Sequence, residues 1–231
     1  VQLKEEQISE DKVNINIFVE EGRTISADVA LGYDFGSDFS ITLKLNESNL
    51  FGTGIGTSIA VEKGRYNESI DFSIVEPYLY GRDIALISST GYYNVYNPNL
   101  NTYKSRSYYQ SFRGIYSISE YLKHSVGYSI KYDTLNILDP DEFLLTNPIV
   151  FEQEGNFTTS SIYHALTYDK RDNRGMPSSG YLLQFSQSFA GIGGNVNYLS
   201  NELLAEQYFT TFGVDSLVLG IKLKGQIIRG W

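Results

Sequence analysis

The stretch Phe39-Ser40-Ile41-Thr42-Leu43-Lys44-Leu45 decides the fold. Apolar side chains occupy every second position and polar ones fill the gaps, which is the period of a pleated strand with two unlike faces. A helix would need its apolar residues three and four positions apart. The same alternation surrounds this stretch on both sides. Upstream, Val13, Ile15, Ile17 and Val19 alternate with Asn14, Asn16 and Phe18 until Glu20-Glu21-Gly22 breaks the run. Ile25, Ala27, Val29 and Leu31 then alternate with Ser26, Asp28 and Ala30 as far as Gly32. Downstream, Ile59 and Val61 oppose Ser58, Ala60 and Glu62, while Ile70, Phe72 and Ile74 oppose Asp71 and Ser73. Farther on, Tyr181, Leu183, Phe185 and Phe189 oppose Gln184, Ser186 and Ser188, and Leu199, Leu203, Ala205 and Phe209 oppose Ser200, Glu202, Glu206 and Tyr208. Leu217, Leu219, Ile221 and Leu223 oppose Gly220, Lys222 and Lys224. About eleven such segments follow Gly22, most of them near the ~9–11 residues a tilted membrane strand requires.

Composition agrees. Among 231 residues there are 19 Tyr, 13 Phe and 21 Gly but only 5 Pro, a bias towards pleated surfaces and against helices. Cysteine is absent, which excludes a disulfide framework and a thiolate metal site. The formal net charge is -9, and no cluster of Lys and Arg offers itself to phosphates, so nucleic acid is not an expected partner. No stretch approaches the ~20 apolar residues of a transmembrane helix. Val1 to Lys12 is charged and lacks the apolar core of a signal peptide, so this start reads as the end of another domain.

Two features separate a membrane barrel from a soluble sandwich. The faces opposite the apolar rows carry Ser, Thr, Gln, Lys and Glu, as though lining water, and Tyr and Phe recur near segment ends, as aromatic girdles do at bilayer interfaces. Connector lengths also differ. Short turns at Asp34-Phe35-Gly36-Ser37-Asp38 and Glu120-Tyr121-Leu122-Lys123 contrast with Asn97 to Arg106 and Asp133 to Asn156, predicting short turns on one side of the membrane and long loops on the other. The expected fold is all-β, an antiparallel transmembrane β-barrel of which this chain supplies about eleven strands.

Four segments, in order, resemble one family. Asn49-Leu50-Phe51-Gly52-Thr53-Gly54 is similar to the signature near the barrel start of the BamA-type outer-membrane assembly factors, of the POTRA-plus-barrel or bacterial surface antigen superfamily. Glu76-Pro77-Tyr78 resembles that family's acidic-or-Asn-Pro-Tyr segment. Tyr168-Asp169-Lys170-Arg171-Asp172-Asn173 with Pro177 and Gly180 resembles its Asp-x-Arg-Asp…Pro-x-x-Gly segment, and Ala190-Gly191-Ile192-Gly193-Gly194 continues the likeness. The resemblance implies that residues 1–22 end a preceding POTRA domain and that 23–231 form the N-terminal portion of a barrel of roughly sixteen strands. Ile228-Arg229-Gly230-Trp231 mimics the family's lid-loop motif but reads as the end of a strand before that loop. The resemblance further implies a protein of the outer membrane, not an enzyme, that folds and inserts other barrel proteins without a cofactor. Its partners would be unfolded outer-membrane proteins, periplasmic accessory lipoproteins and membrane lipid. Within the superfamily the alternative is a translocation pore of the two-partner secretion or TamA type, and outside it a passive porin-like channel.

The first barrel strand in such a protein is a lateral gate, which here falls on Ile25, Ser26, Ala27, Asp28, Val29, Ala30, Leu31 and Gly32. A strand edge exposes unpaired N–H and C=O groups, onto which an incoming chain can add. Other constellations read more plainly. His124 and His164 lie far apart in sequence with no nucleophile or metal-ligand spacing. Asp169, Arg171 and Asp172 read as a turn held by ion pairs. Gly52, Gly54 and Gly56, and Gly191, Gly193 and Gly194, lack the following helix that a phosphate loop needs. Asp139-Pro140-Asp141-Glu142 lacks EF-hand spacing and reads as a solvated loop. The sequons at Asn46, Asn67 and Asn156 carry no weight in so Asn-rich a chain.

Overall fold

A computed structural model describes residues 2–9, 12–18, 22–34, 38–96, 103–138, 154–210 and 217–231. Strands β1 (Gln2–Ser9) and β2 (Lys12–Phe18) form an antiparallel hairpin that pairs with no other strand. Eleven further strands make a second sheet: β3 (Ile25–Asp34), β4 (Asp38–Glu47), β5 (Gly56–Gly64), β6 (Asn67–Glu76), β7 (Ile84–Tyr96), β8 (Tyr103–Ser117), β9 (Leu122–Ile137), β10 (Gly155–Asp169), β11 (Gly180–Ala190), β12 (Tyr198–Thr210) and β13 (Val218–Gly230). Each pairs antiparallel with its sequence neighbours, so the sheet runs β3 to β13 in chain order. The eleven strands match the number read from alternation, and Ile228-Arg229-Gly230 does end a strand.

Register joins the alternating rows into two surfaces. Leu31, Ile41 and Lys63 align, as do Val29, Leu43 and Val61, and Ala27, Leu45, Ile59 and Phe72. This apolar surface carries aromatics towards both ends. At one end Tyr33 meets Phe39 with ring centroids 4.7 Å apart and Tyr92 meets Tyr108 at 4.8 Å. At the other stands Tyr116, eight residues along β8 from Tyr108 on the same face, a separation of ~26 Å along the strand, close to the height of an outer-membrane apolar band. Polar residues that interrupt this face bond to one another: Gln110 donates to Ser88 Oγ at 3.1 Å, and Gln187 to Asn201 Oδ1 at 2.7 Å.

The opposite surface is polar and knitted across strands. Ser58 and Ser73 hydroxyls lie 2.8 Å apart, Ser129 and Ser161 3.0 Å. Asp71 accepts from Tyr93 at 2.6 Å and Tyr109 at 2.8 Å, Lys131 pairs with Asp133 at 2.8 Å, and Ser107 donates to Asp133. On this face three tyrosines lie across directly paired glycines: Tyr109 over Gly91, Tyr163 over Gly127 and Tyr208 over Gly220. A ring laid over a glycine covers backbone that would otherwise be bare and lets the sheet curl locally.

Two expectations about connectors are corrected. The expected loops Asn97 to Arg106 and Asp133 to Asn156 are shorter than their polarity implied, because the ladder continues through Tyr103↔Ile137 and Gly155↔Leu135. Strands β8, β9 and β10 are 15, 16 and 15 residues long. A strand that projects past a bilayer meets water on both faces and needs no apolar row, so Lys104, Arg106 and Asp133 looked like loop. Likewise the Glu120–Lys123 turn closes earlier, with Leu122 and Lys123 already in β9. Short turns and long loops also do not segregate by side. Antiparallel order puts the β3–β4, β7–β8 and β9–β10 connectors at one end, so the short turn at Asp34 to Asp38 shares an end with the two longest expected loops. The segment Asp139-Pro140-Asp141-Glu142 lies outside the described residues.

Candidate functional site

Among the described residues β3 pairs with β4 alone, through ten aligned positions from Ile25↔Glu47 to Asp34↔Asp38. At the far end of the sheet β13 likewise pairs with β12 alone among the described residues. Ile25, Ala27, Val29 and Leu31 lie on the apolar face, with Val29 67% and Leu31 80% exposed. Ser26, Asp28, Ala30 and Gly32 lie on the polar face. Asn46 Nδ2 of β4 donates to Ser26 Oγ and Asp28 Oδ2, both at 3.3 Å, and Gly32 stands against Ser40, whose Oγ would sit 3.0 Å from an added Cβ. The candidate gate is thus a strand with an apolar outer row and a small polar inner row.

Ala190 to Gly194 follows β11 at one end of the sheet, and the other three of the four motif segments gather at the opposite end. The chain enters β3 there, and the β4–β5, β6–β7 and β10–β11 connectors return there, carrying Asn49 to Gly54, Glu76 to Tyr78 and Asp169 to Gly180. The first two are built to one plan that the sequence reading missed, although Glu47-Ser48-Asn49-Leu50-Phe51-Gly52 and Glu76-Pro77-Tyr78-Leu79-Tyr80-Gly81 share Glu, Leu, an aromatic and Gly in the same places. Glu47 Oε1 accepts from Asn49 N–H at 2.8 Å, and Glu76 Oε1 from Tyr78 N–H at 3.0 Å. Gly52 N–H donates to Asn49 C=O at 3.0 Å, and Gly81 N–H to Tyr78 C=O at 2.8 Å. Phe51 and Tyr80 both have φ of 53°, followed by Gly52 at 75° and Gly81 at 71°. A non-glycine residue held left-handed costs ~1–2 kcal/mol, so each turn keeps its aromatic there only because the surrounding hydrogen bonds fix the backbone. Asn49 Oδ1 reinforces the first turn by accepting from Gly54 N–H at 2.6 Å.

In the third segment Arg171 forks onto Asp169, Nε to Oδ1 at 2.9 Å and Nη2 to Oδ2 at 3.0 Å, and reaches Glu206 at 3.4 Å. Glu206, 8% exposed, also takes Lys222 at 2.9 Å and Tyr208 OH at 3.1 Å. Hydrogen bonding to the Asp169 carboxylate holds the Arg171 guanidinium firmly charged. Asp172 turns the other way: the Ser178 hydroxyl, then the N–H groups of Ser179, Ser178 and Asn173, hold its carboxyl well below the usual carboxylate range. Pro177 precedes the two serine donors, and Gly180, at φ 95° hard against the Lys170 carbonyl, leaves no room for a side chain. The segment is a turn braced by ion pairs. The histidines, far apart in sequence, are in fact neighbours across β9 and β10, with ring centroids 5.5 Å apart. His124 Nδ1 lies 2.6 Å from Tyr116 OH, while His164 Nδ1 is buried without a partner. No nucleophile-base-acid chain runs through them, and among the described residues no three His, Asp or Glu side chains converge as metal ligands.

An antiparallel meander with an apolar outer face and a polar inner face defines a class, the wall of an outer-membrane barrel. The Omp85 superfamily domain matches residues 49–231, and this chain belongs to that superfamily. It is 25% identical over 231 residues to the outer membrane protein assembly factor BamA of Neorickettsia risticii (strain Illinois), covering 100% of this chain and 31% of that protein. Against BamA of Nitratidesulfovibrio vulgaris it is 25% identical over 202 residues, 82% of this chain and 23% of that protein. In fold it resembles the crystal structure of BamA from Haemophilus ducreyi lacking POTRA domains 1-3, with a TM-score of 0.73 at 16% identity over 100% of this chain and 46% of that one. The chain therefore spans under a third of these curated relatives. Membership places it in the bacterial outer membrane.

Proposed function

We propose that this chain is the N-terminal portion, residues 23–231, of the barrel of an outer-membrane assembly factor, and that residues 1–22 close a preceding POTRA domain. The separate β1–β2 hairpin, which pairs with no strand of the large sheet, supports that division. The observation that carries the functional reading is the match of residues 49–231 to the Omp85 superfamily domain, supported by the two unlike faces of the meander. In hydrocarbon an unpaired backbone group costs several kcal/mol. A strand that presents an open ladder at membrane depth gives an unfolded client a place to pair its backbone as it enters, which lowers a physical barrier and breaks no covalent bond. Ser26, Ala30 and Gly32 keep the inner row of β3 small, so a new strand can be laid beside it without displacing bulky side chains. Clients would be unfolded outer-membrane proteins, with periplasmic accessory lipoproteins and membrane lipid as further partners and no cofactor.

Depletion of the full-length protein in its native cell tests this, with several unrelated outer-membrane barrels scored for heat-modifiability on gels. Concerted loss of their folded forms is the expected result. Loss of a single exported substrate would instead identify a dedicated secretion pore.

A further inference from the structure

Phe51 and Tyr80 are each 93% exposed, and each is held out on the left-handed residue of the paired turns. An apolar ring kept in solvent by a strained, hydrogen-bonded turn, twice over and at the same end of one sheet, calls for an occupant on its far side. The rows leading into the turns say what that is. Along β4 the outward row reads Ile41, Leu43, Leu45 and then Glu47, and along β6 it reads Ile70, Phe72, Ile74 and then Glu76. In both, the carboxylate that ends the apolar row at the motif end is the residue that caps the turn. A carboxylate cannot remain in hydrocarbon, so Glu47 and Glu76 mark where the apolar band ends. The rings that follow within one turn stand at that boundary, in line with Tyr116 farther along the same end.

We infer that Phe51 and Tyr80 are paired anchors that enter the headgroup boundary of the adjoining membrane leaflet and fix the depth of strands β4 to β7. Aromatic rings gather in this zone, and the Tyr80 hydroxyl can keep its contact with water there. The anchors require the sheet to cross a bilayer and are independent of what the barrel assembles, so a failed depletion phenotype leaves them standing.

The test uses the full-length protein refolded into phosphatidylcholine vesicles, with other tryptophans including Trp231 changed to phenylalanine and with Phe51→Trp or Tyr80→Trp introduced. Folding is checked by heat-modifiability. Blue-shifted emission, quenched more by lipids brominated near the headgroup than near the chain end and poorly by aqueous iodide, is the expected result. Emission at the wavelength of free tryptophan, quenched fully by iodide and not by brominated lipid, would overturn the inference and leave a periplasmic protein partner as the occupant. Strongest quenching by deeply brominated lipid would overturn it too, since the rings would then lie in hydrocarbon. If tryptophan disturbs folding, spin labels on Phe51→Cys or Tyr80→Cys, in the full-length protein freed of any cysteine outside residues 1–231, report the same depth by oxygen against nickel-chelate accessibility.

Discussion

At Gly127 the space a side chain would fill is taken by the ring of Tyr163 from the paired position on β10. Gly127→Ala should therefore strain the sheet by ~1–3 kcal/mol, the usual cost of overpacking, read as a lower temperature of heat-modification. Gly127→Ala combined with Tyr163→Ala should cost less than the two single changes added together, because the clash needs both. Strict additivity would show that ring and glycine are independent. The abundance of Tyr and Gly was plain in the sequence, but their pairing was not, since it depends on a register that no single strand specifies. Asp172 makes a different prediction. Its carboxyl is held low when folded, so the stabilisation is complete above the ordinary value of about 4 and is lost as pH falls through the lowered one. Asp172→Asn should be less stable at neutral pH and lose less than the parent on acidification, measured by heat-modification across that range. Parallel curves would remove Asp172 from the account.

Alternation made the strands legible because each β4- or β13-type row keeps one face apolar, and the eleven strands follow from that alone. It failed where strands leave the bilayer, since β8, β9 and β10 no longer need an apolar face beyond it. The motif segments were visible as family marks, but not as copies of one turn, because their likeness lies in backbone angles and in a Glu that bonds two residues ahead. That shared construction predicts a shared response. Gly52→Ala and Gly81→Ala each place a Cβ on left-handed backbone and should each cost about 1 kcal/mol, with the double variant near the sum. A large effect in one turn and none in the other would mean the two are alike in shape only. The candidate gate is a reading from resemblance, and the topology adds only that its residues form the first strand of the large sheet.

For the whole molecule the prediction concerns how a client docks on β3. Single cysteines at Val29 and Ala30, in a chain that has none, should form disulfides with a stalled client carrying cysteines along its entering strand, and the partner positions should differ in parity because neighbouring residues face opposite ways. Equal linkage to every client position would exclude strand addition at this edge. One last consequence lies in the spacing of the connectors opposite the motif turns. For the barrel to thread itself into a membrane from the motif side, only those opposite connectors must traverse the lipid. The earliest hairpins have the shortest: Asp34 leads to Asp38, and Gly64 to Asn67, before the stretch from Leu138 to Glu154. Since every bare peptide group carried through oil adds to the toll, the first two hairpins carry the lightest load across and the β9–β10 connector the heaviest.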